Sequence, residues 1–290
     1  MRSGVLNSFS GKMLSFFMLM VFIGLNSVAQ QDTIYLWPGK VPGETESKHD
    51  PVLTPDTSRG VIRITNITNP AMIVYEPEKL TDNGNSVVIC PGGAYKYLAI
   101  NIEGYEVAKW LNSLGFTAYI LQYRVPDKRE DALADIQRAI RIVRQRSDGK
   151  NIKIGVIGFS AGGSLCAHAA IRFNEETYSK TDEIDSLSSR PDFAMLIYPA
   201  YLDEGENRTL TPSLKIRDNN PPVFVFGTAD DAYSNSALVM TAALRDNKIP
   251  VELHILPKGG HGYGLRSGNI AAETWPKLTE IWLKKMITID

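Results

Sequence analysis

Short apolar runs alternate along the chain with stretches in which apolar residues recur every three or four positions. The short runs are rich in β-branched and aromatic residues and predict strands, at residues 61–65, 71–75, 86–90, 116–125, 152–157, 193–198, 223–226 and 251–256. The longer periodic stretches predict helices, at residues 103–114, 129–146, 160–171, 235–247 and 271–286. Asn69-Pro70 between the first two strands favours an antiparallel start.

From residue 61 onward, predicted strands alternate with helical patterns. This alternation favours an α/β fold with a mostly parallel central sheet and helices on both of its faces. In such sheets the ligand crevice lies beyond the carboxyl ends of the strands. We therefore expect residues of a functional site to follow strands directly.

The first 29 residues have the pattern of a secretory signal peptide. Arg2 and Lys12 carry their charges, residues 13–25 form an apolar run, and Ser27-Val28-Ala29 supplies small residues for cleavage. The run is shorter than the roughly 20 residues of a membrane span. We expect cleavage after Ala29, export to the periplasm or the medium, and no stable membrane insertion; an uncleaved anchor is the alternative.

Composition excludes several other classes of protein. Hydrophobic residues make up 43% of the 290 residues and charged residues 22%, which is typical of globular domains. The formal net charge of -1 provides no electrostatic field that would attract nucleic acid or an anionic membrane.

We interpret residues 30–60, rich in Pro, Gly, Asp and Thr, as a leader that packs on one domain formed by residues 61–290.

The sequence Gly158-Phe159-Ser160-Ala161-Gly162 fits the G-x-S-x-G pattern of a nucleophilic serine. It follows the strand predicted at residues 152–157 and opens the next helix, so Ser160 would occupy a strained turn with its hydroxyl exposed. The flanking glycines give the room that such a turn requires. A strand–helix turn without chemistry is the alternative.

Pro91-Gly92-Gly93-Ala94-Tyr95 follows the strand predicted at residues 86–90. Small residues allow backbone N–H groups to turn toward an oxyanion. We expect the N–H groups of Gly93 and Ala94, together with that of Ala161, to form an oxyanion hole. The alternatives are a plain turn and a phosphate loop, which would require a Lys-Ser/Thr pair or a third glycine.

Of the four histidines, only His261 directly follows a predicted strand, in a glycine-rich loop. His49 lies in the leader and His254 lies within a strand. His168 is eight residues beyond Ser160 on one helix, about 12 Å along the axis at roughly 1.5 Å per residue. His261 is therefore the predicted general base.

Asp230 and Asp231 both follow the strand predicted at residues 223–226, and one carboxylate is expected to orient the histidine. Spacing from the strand end favours Asp230, which leaves Asp231 as a turn or capping residue. The chain order Ser160, Asp230, His261 is that of α/β-hydrolases rather than of trypsin-like or subtilisin-like enzymes.

With these motifs the chain resembles the α/β-hydrolases, and more closely the exported esterases of the acetyl xylan esterase and feruloyl esterase type. The resemblance extends from residue 36 to the end and includes five further motifs: Leu36-Trp37-Pro38-Gly39, Trp110-Leu111-Asn112-Ser113-Leu114-Gly115, Gln122-Tyr123-Arg124-Val125-Pro126, Arg190-Pro191-Asp192-Phe193 and Gly260-His261-Gly262-Tyr263-Gly264.

The resemblance implies an α/β-hydrolase fold with Ser160 as nucleophile, Asp230 as orienting acid and His261 as base, and it also implies Gly93, Ala94 and Ala161 as oxyanion donors. No metal and no organic cofactor are implied. Two positions depart from the family pattern, which more often has a third glycine in place of Ala94 and a proline in place of Asp231.

We expect hydrolysis of acyl esters, above all acetyl esters, on plant-type polysaccharides or oligosaccharides such as acetylated xylan. Only residues 199–222 separate two predicted strands, so we expect no large lid and an open site that suits an acyl group on a polymer. A feruloyl or generic small-ester esterase, a prolyl-oligopeptidase-like peptidase and a non-catalytic carbohydrate-binding protein are the alternatives.

Two further properties stay open at the level of sequence. Cys90 and Cys166 are too few for a disulfide framework or a Cys-rich zinc site. We expect them to be buried free thiols, although a disulfide between them is possible in an oxidising compartment. The oligomeric state has no signal in the sequence.

Overall fold

The computed structural model describes residues 32–147 and 152–288, together with Met1 and Gly4. The predicted signal peptide, apart from those two residues, lies outside the described residues. Gln31–Asp290 form one compact unit. Within the described ranges, no helix combines the length and the apolar character needed to cross a membrane.

The described ranges contain strands β1 to β11 and helices α1 to α5. The strands are, in chain order, Thr33–Tyr35, Val52–Leu53, Arg63–Thr65, Ala71–Tyr75, Ser86–Cys90, Leu98–Ala99, Thr117–Gln122, Ile154–Phe159, Phe193–Ile197, Val223–Thr228 and Val251–Leu256. The helices are Glu106–Ser113, Arg129–Arg146, Ala161–Ile171, Ser234–Asp246 and Ile270–Thr288.

Eight strands form the main sheet in the order β1-β4-β7-β5-β8-β9-β10-β11. The β1–β4 and β4–β7 pairs are antiparallel, and the pairs from β7 to β11 are parallel. Every residue of β5, β8, β9 and β10 is buried, as expected for strands covered on both faces. The predicted α/β fold with a mostly parallel sheet flanked by helices is confirmed.

The antiparallel start differs from its prediction. β4 joins the main sheet beside β7, whereas β3 pairs with β2 and β6 in a separate three-stranded sheet. The sequence pattern predicted both strands correctly as strands. It could not predict their partners, because β6 is a two-residue strand 33 positions or more along the chain from β3.

The leader residues that are described pack against the rest of the compact unit. The indole of Trp37 is buried and donates to Asp135 Oδ1 at 3.0 Å. The Asp135 carboxylate also accepts from Arg124 Nε at 2.9 Å and from Arg124 Nη2 at 2.9 Å. The carbonyl of Leu36 accepts from Arg138 Nε at 3.0 Å. These bonds satisfy buried polar groups that would otherwise destabilise the fold.

The carboxyl ends of the parallel strands place the candidate residues at one edge of the sheet. The Pro91–Tyr95 loop follows β5, Ser160 follows β8, the two aspartates follow β10 and the loop of His261 follows β11. Between β9 and β10 the described chain contains one short 3-10 turn, Glu206–Arg208, rather than a lid domain.

Candidate active site

Ser160 lies in a strained turn between β8 and α3. Its backbone has φ 52° and ψ -116°, a conformation that non-glycine residues rarely adopt. A Cβ on Gly158 would come within 2.0 Å of the Gly162 carbonyl oxygen, and a Cβ on Gly162 within 2.0 Å of the Cys90 carbonyl oxygen. The two glycines of the motif are therefore needed because backbone segments approach closely on both sides of Ser160.

The Ser160 hydroxyl contacts His261 directly. Oγ lies 2.7 Å from Nε2 of the imidazole, within hydrogen-bond reach of a general base. The ring also packs beside Tyr198 and Tyr233, with centroids 5.2 and 4.9 Å away. Of the four histidines, all of which are described, this is the one that the structure places against the serine, as predicted.

Asp231, rather than Asp230, contacts the histidine. Its Oδ2 lies 2.7 Å from His261 Nδ1, and its side chain is 1% exposed. A neutral ring protonated on Nδ1 donates that proton to Asp231, so Nε2 is left to accept the Ser160 hydroxyl. Asp231 Oδ1 meanwhile accepts the Tyr233 N–H at 2.9 Å.

The predicted role of Asp230 as the orienting acid is therefore wrong in this structure. β10 continues to Thr228, two residues beyond its predicted end, and the turn that follows directs the exposed Asp230 carboxylate to the loop backbone. It accepts the N–H groups of Gly259 at 3.2 Å and Gly260 at 2.9 Å. The bond from Gly260 lowers the pKa of Asp230. Asp230 thus binds the backbone of the loop that carries His261.

Two of the three predicted oxyanion donors, Gly93 and Ala94, belong to residues that line the cavity at Ser160. Gly93 and Ala94 line one cavity with Ser160 and His261, and both have positive φ, 139° and 57°. Their N–H groups have no protein acceptor within the described part of the chain. Ala161 opens α3, where the first N–H groups of a helix lack intrahelical partners. Their role in binding an oxyanion stays a prediction.

Glu103 is a buried acid at the site that the sequence reasoning missed. Its Oε2 accepts the Gly92 N–H at 2.7 Å, and its Oε1 accepts the Tyr198 hydroxyl at 2.8 Å. Tyr198 in turn accepts the Gly264 N–H at 3.0 Å. Through Tyr198, the Glu103 carboxylate thereby links the loop that follows β5 to the loop that carries His261. Burial raises the pKa of Glu103.

Sequence placed Glu103 at the start of a helix, where an acid is ordinary. In the structure it lies in a single π turn, Asn101–Tyr105, just before α1. Such turns are often found at functional sites. The one feature of the sequence that could have indicated Glu103 is that this charged residue lies next to an apolar stretch.

The remaining chemical candidates lie elsewhere. His168 is half-buried in α3, and partial burial lowers its pKa to about 4, so it is neutral near pH 7. His254 Nε2 lies 2.9 Å from Glu252 Oε1. Cys90 and Cys166 are buried free thiols in this structure. Among the described residues, no three His, Cys, Asp or Glu side chains cluster in a way that could hold a metal ion.

Comparison with known proteins agrees with the fold described above. Residues 72–197 match a family described as BD-FAE. A solved acetyl ester-xyloside bifunctional hydrolase from Caldicellulosiruptor lactoaceticus superposes with a TM-score of 0.72 at 29% identity, over 91% of this chain and 100% of that one. The chain has the α/β-hydrolase fold. The resemblance to acetyl xylan esterases predicted from the motifs is confirmed.

Two curated relatives have names from xylan degradation. An acetylxylan esterase from Xylanibacter ruminicola is 28% identical over 67% of this chain, and endo-1,4-beta-xylanase B from Butyrivibrio fibrisolvens is 29% identical over 61%. The matched region spans only 43% and 32% of those two proteins. The chain therefore corresponds to less than half of the length of either relative.

Proposed function

We propose that this α/β hydrolase is a serine esterase that removes acyl groups, above all acetyl groups, from plant-type polysaccharides or oligosaccharides such as acetylated xylan. The observation that carries the proposal is the pair of 2.7 Å contacts joining Ser160 Oγ to His261 and His261 to Asp231. A serine, a histidine and a buried carboxylate in this order form the apparatus of two-step acyl transfer.

In the proposed mechanism, His261 Nε2 accepts the Ser160 proton as Oγ attacks the acyl carbon. Asp231 keeps the imidazole oriented and stabilises its cation. The oxyanion is bound by the N–H groups of Gly93, Ala94 and Ala161, which are preorganised for developing negative charge. His261 then gives this proton to the departing sugar oxygen, which leaves as an alcohol. The same residues next activate water, whose attack on the acyl-serine releases the carboxylic acid and returns a proton to Ser160.

The names of the relatives and of the solved structure support an acyl sugar as substrate. The cavity at Ser160 has a volume of about 240 Å³, which suits a small acyl group better than a long lipid chain. Tyr97, Tyr201 and Tyr233 also line it and offer flat surfaces to sugar rings.

Export is a second part of the proposal. The pattern of residues 1–29 supports removal of a signal peptide after Ala29, which would bring the enzyme to extracellular polysaccharide. The amino terminus of the protein recovered from the culture medium or the periplasm should then be Gln30. A cell-associated protein that retains Met1 would contradict this part.

The substrate is tested by measuring acetate release from acetylated xylo-oligosaccharides, beside feruloylated oligosaccharides, 4-nitrophenyl esters and a prolyl peptide. The proposal expects acetate release that is abolished in Ser160→Ala. Rapid cleavage of feruloyl or 4-nitrophenyl esters without acetate release would contradict an acetylated glycan substrate. Preferential cleavage of the peptide would contradict the esterase, and inactivity toward every substrate would contradict catalysis.

A further inference from the structure

Three arginines line the same cavity as Ser160 and His261. Arg59 lies in the Ser58–Gly60 turn, Arg63 begins β3, and Arg266 lies in the loop that follows His261. The whole chain has a net charge of only -1. Positive charge is thus concentrated at the cavity of the proposed esterase, and an uncharged acyl sugar would not compensate it.

Arg63 is held in place by the protein. Its side chain is 10% exposed and lies 3.5 Å from the carboxylate of Asp56. It also donates to the backbone carbonyls of Asp56 at 2.7 Å and Val61 at 3.2 Å. These bonds give Arg63 a structural role and compensate part of its charge.

Arg59 and Arg266 are different, because neither forms an ion pair within the described ranges of the chain. The guanidinium of Arg266 donates to the backbone carbonyl of Arg59, which ties the Ser58–Gly60 turn to the histidine loop. Glu103 is the one carboxylate among the residues that line the cavity. Both of its oxygens already accept bonds, from Gly92 and Tyr198.

We propose that the cavity takes an ester substrate that also bears a carboxylate, which the guanidinium groups of Arg59 and Arg266 bind. This inference rests on the proposed esterase function and narrows its substrate class. A guanidinium pairs with a carboxylate through two parallel charge-assisted hydrogen bonds. The carboxylate can belong to the glycan, as in a uronic-acid branch, or to the acyl group, as in a dicarboxylic monoester.

Two matched pairs of substrates test the inference and distinguish these sources. The first pair is acetylated xylo-oligosaccharides with and without a uronic-acid branch. The second pair is 4-nitrophenyl hemisuccinate and 4-nitrophenyl acetate. The measured quantity is the ratio of kcat/KM for the acidic member to that for the neutral member, at low and at high salt.

The inference expects a ratio of about ten in one of the two pairs, on the scale of a charge-assisted hydrogen bond. Salt should reduce it, because mobile ions screen exposed charges. Arg59→Gln and Arg266→Gln should each lower the ratio several-fold. Arg245→Gln is the matched control, since Arg245 is exposed and pairs with Asp246.

A preference in the glycan pair assigns the carboxylate to the sugar, and a preference in the hemisuccinate pair assigns it to the acyl group. A ratio near one in both pairs, or a preference that neither salt nor the two substitutions reduce, would overturn the inference. The salt dependence of the unmodified protein is decisive even where a variant fails to fold. Loss of the proposed function would appear differently, as failure to hydrolyse the neutral esters.

Discussion

The carboxylate of Asp231 has two hydrogen-bond partners, one from a side chain and one from the backbone. One carboxylate oxygen faces His261 Nδ1 and the other accepts the Tyr233 N–H just before α4. The sequence interpretation gave Asp231 a turn or capping role as the alternative to orienting the histidine. In the structure Asp231 forms a turn contact and also contacts the histidine. Asp230 and Asp231 are neighbours of the same residue type, and they differ in the direction that the turn gives each side chain. The sequence could therefore predict that one of the two contacts the histidine, but not which one.

Replacing Asp231 should remove most of the activity, whereas replacing Asp230 should not. In Asp231→Asn the one remaining oxygen accepts the Tyr233 N–H, so the amide NH2 faces His261 Nδ1 and favours the wrong tautomer. We expect kcat to fall by about 10³–10⁴. In Asp230→Asn only bonds to the loop backbone weaken, and we expect a loss below about tenfold. Steady-state kinetics on 4-nitrophenyl acetate compares the two. A larger loss in the Asp230 variant would contradict the assignment.

Glu103 should make stability depend on pH. Burial raises its pKa in the folded protein above the value of about 4.3 for an unfolded chain. The stability contributed by the neutral form is therefore fully present below about pH 4.3 and is lost as pH rises through the folded pKa. Relative to Glu103→Gln, the free energy of unfolding of the unmodified protein should fall over this window.

Urea unfolding at a series of pH values measures this difference. Glu106→Gln, at an exposed position on the neighbouring helix, is the matched control and should follow the unmodified protein. The kcat of Glu103→Gln should also fall, because one amide cannot accept from both Gly92 and Tyr198. Identical pH dependence in the protein and both variants would contradict a raised pKa for Glu103.

At the scale of elements, local patterns predicted the strands and helices that carry the site. Hydrophobic periodicity placed β5, β8, β10 and β11 close to their observed bounds, and strand-end reasoning then selected Ser160 and His261. The partners of β3 and the π turn at Glu103 were not predicted. Both depend on contacts with distant segments, which the spacing of apolar residues along the chain does not encode.

The contact between β8, α3 and β5 depends on Gly162. An added Cβ would meet the Cys90 carbonyl oxygen at 2.0 Å, and backbone on both sides leaves little room to adjust. We expect Gly162→Ala to lower the free energy of unfolding by about 1–3 kcal/mol or more and to displace Ser160. Thermal unfolding measures the loss. Gly39→Ala is the control, since nothing lies within 4 Å of its Cβ position.

An unchanged melting temperature and unchanged esterase activity in Gly162→Ala would contradict this account of the turn. A large loss in Gly39→Ala would show instead that any additional methyl group in this chain is destabilising.

At the scale of the whole molecule, the leader and the sheet depend on each other. Trp37 buries its ring against the interior while its indole N–H reaches Asp135, and Asp135 also holds Arg124. The sequence predicted that the leader packs on the domain, but not which side chains anchor it. Their partners lie about 100 positions further along the chain.

Trp37→Ala should therefore destabilise the entire compact unit rather than the leader alone. Removal of a buried tryptophan costs about 3–5 kcal/mol, and we expect one cooperative urea transition at a lower midpoint. Tyr35→Ala, at a half-exposed ring in the same segment, should change the midpoint little. Equal effects of the two substitutions would contradict the anchoring role.

The central claim is that Ser160 is an activated nucleophile in a serine hydrolase site. Fluorophosphonate labelling followed by peptide mass spectrometry tests it most directly, because the probe reacts with the activated serine itself. We expect one adduct, on Ser160, that is absent in Ser160→Ala and forms far more slowly in His261→Ala. A native protein that takes up no label, or that is labelled at another residue, would contradict it.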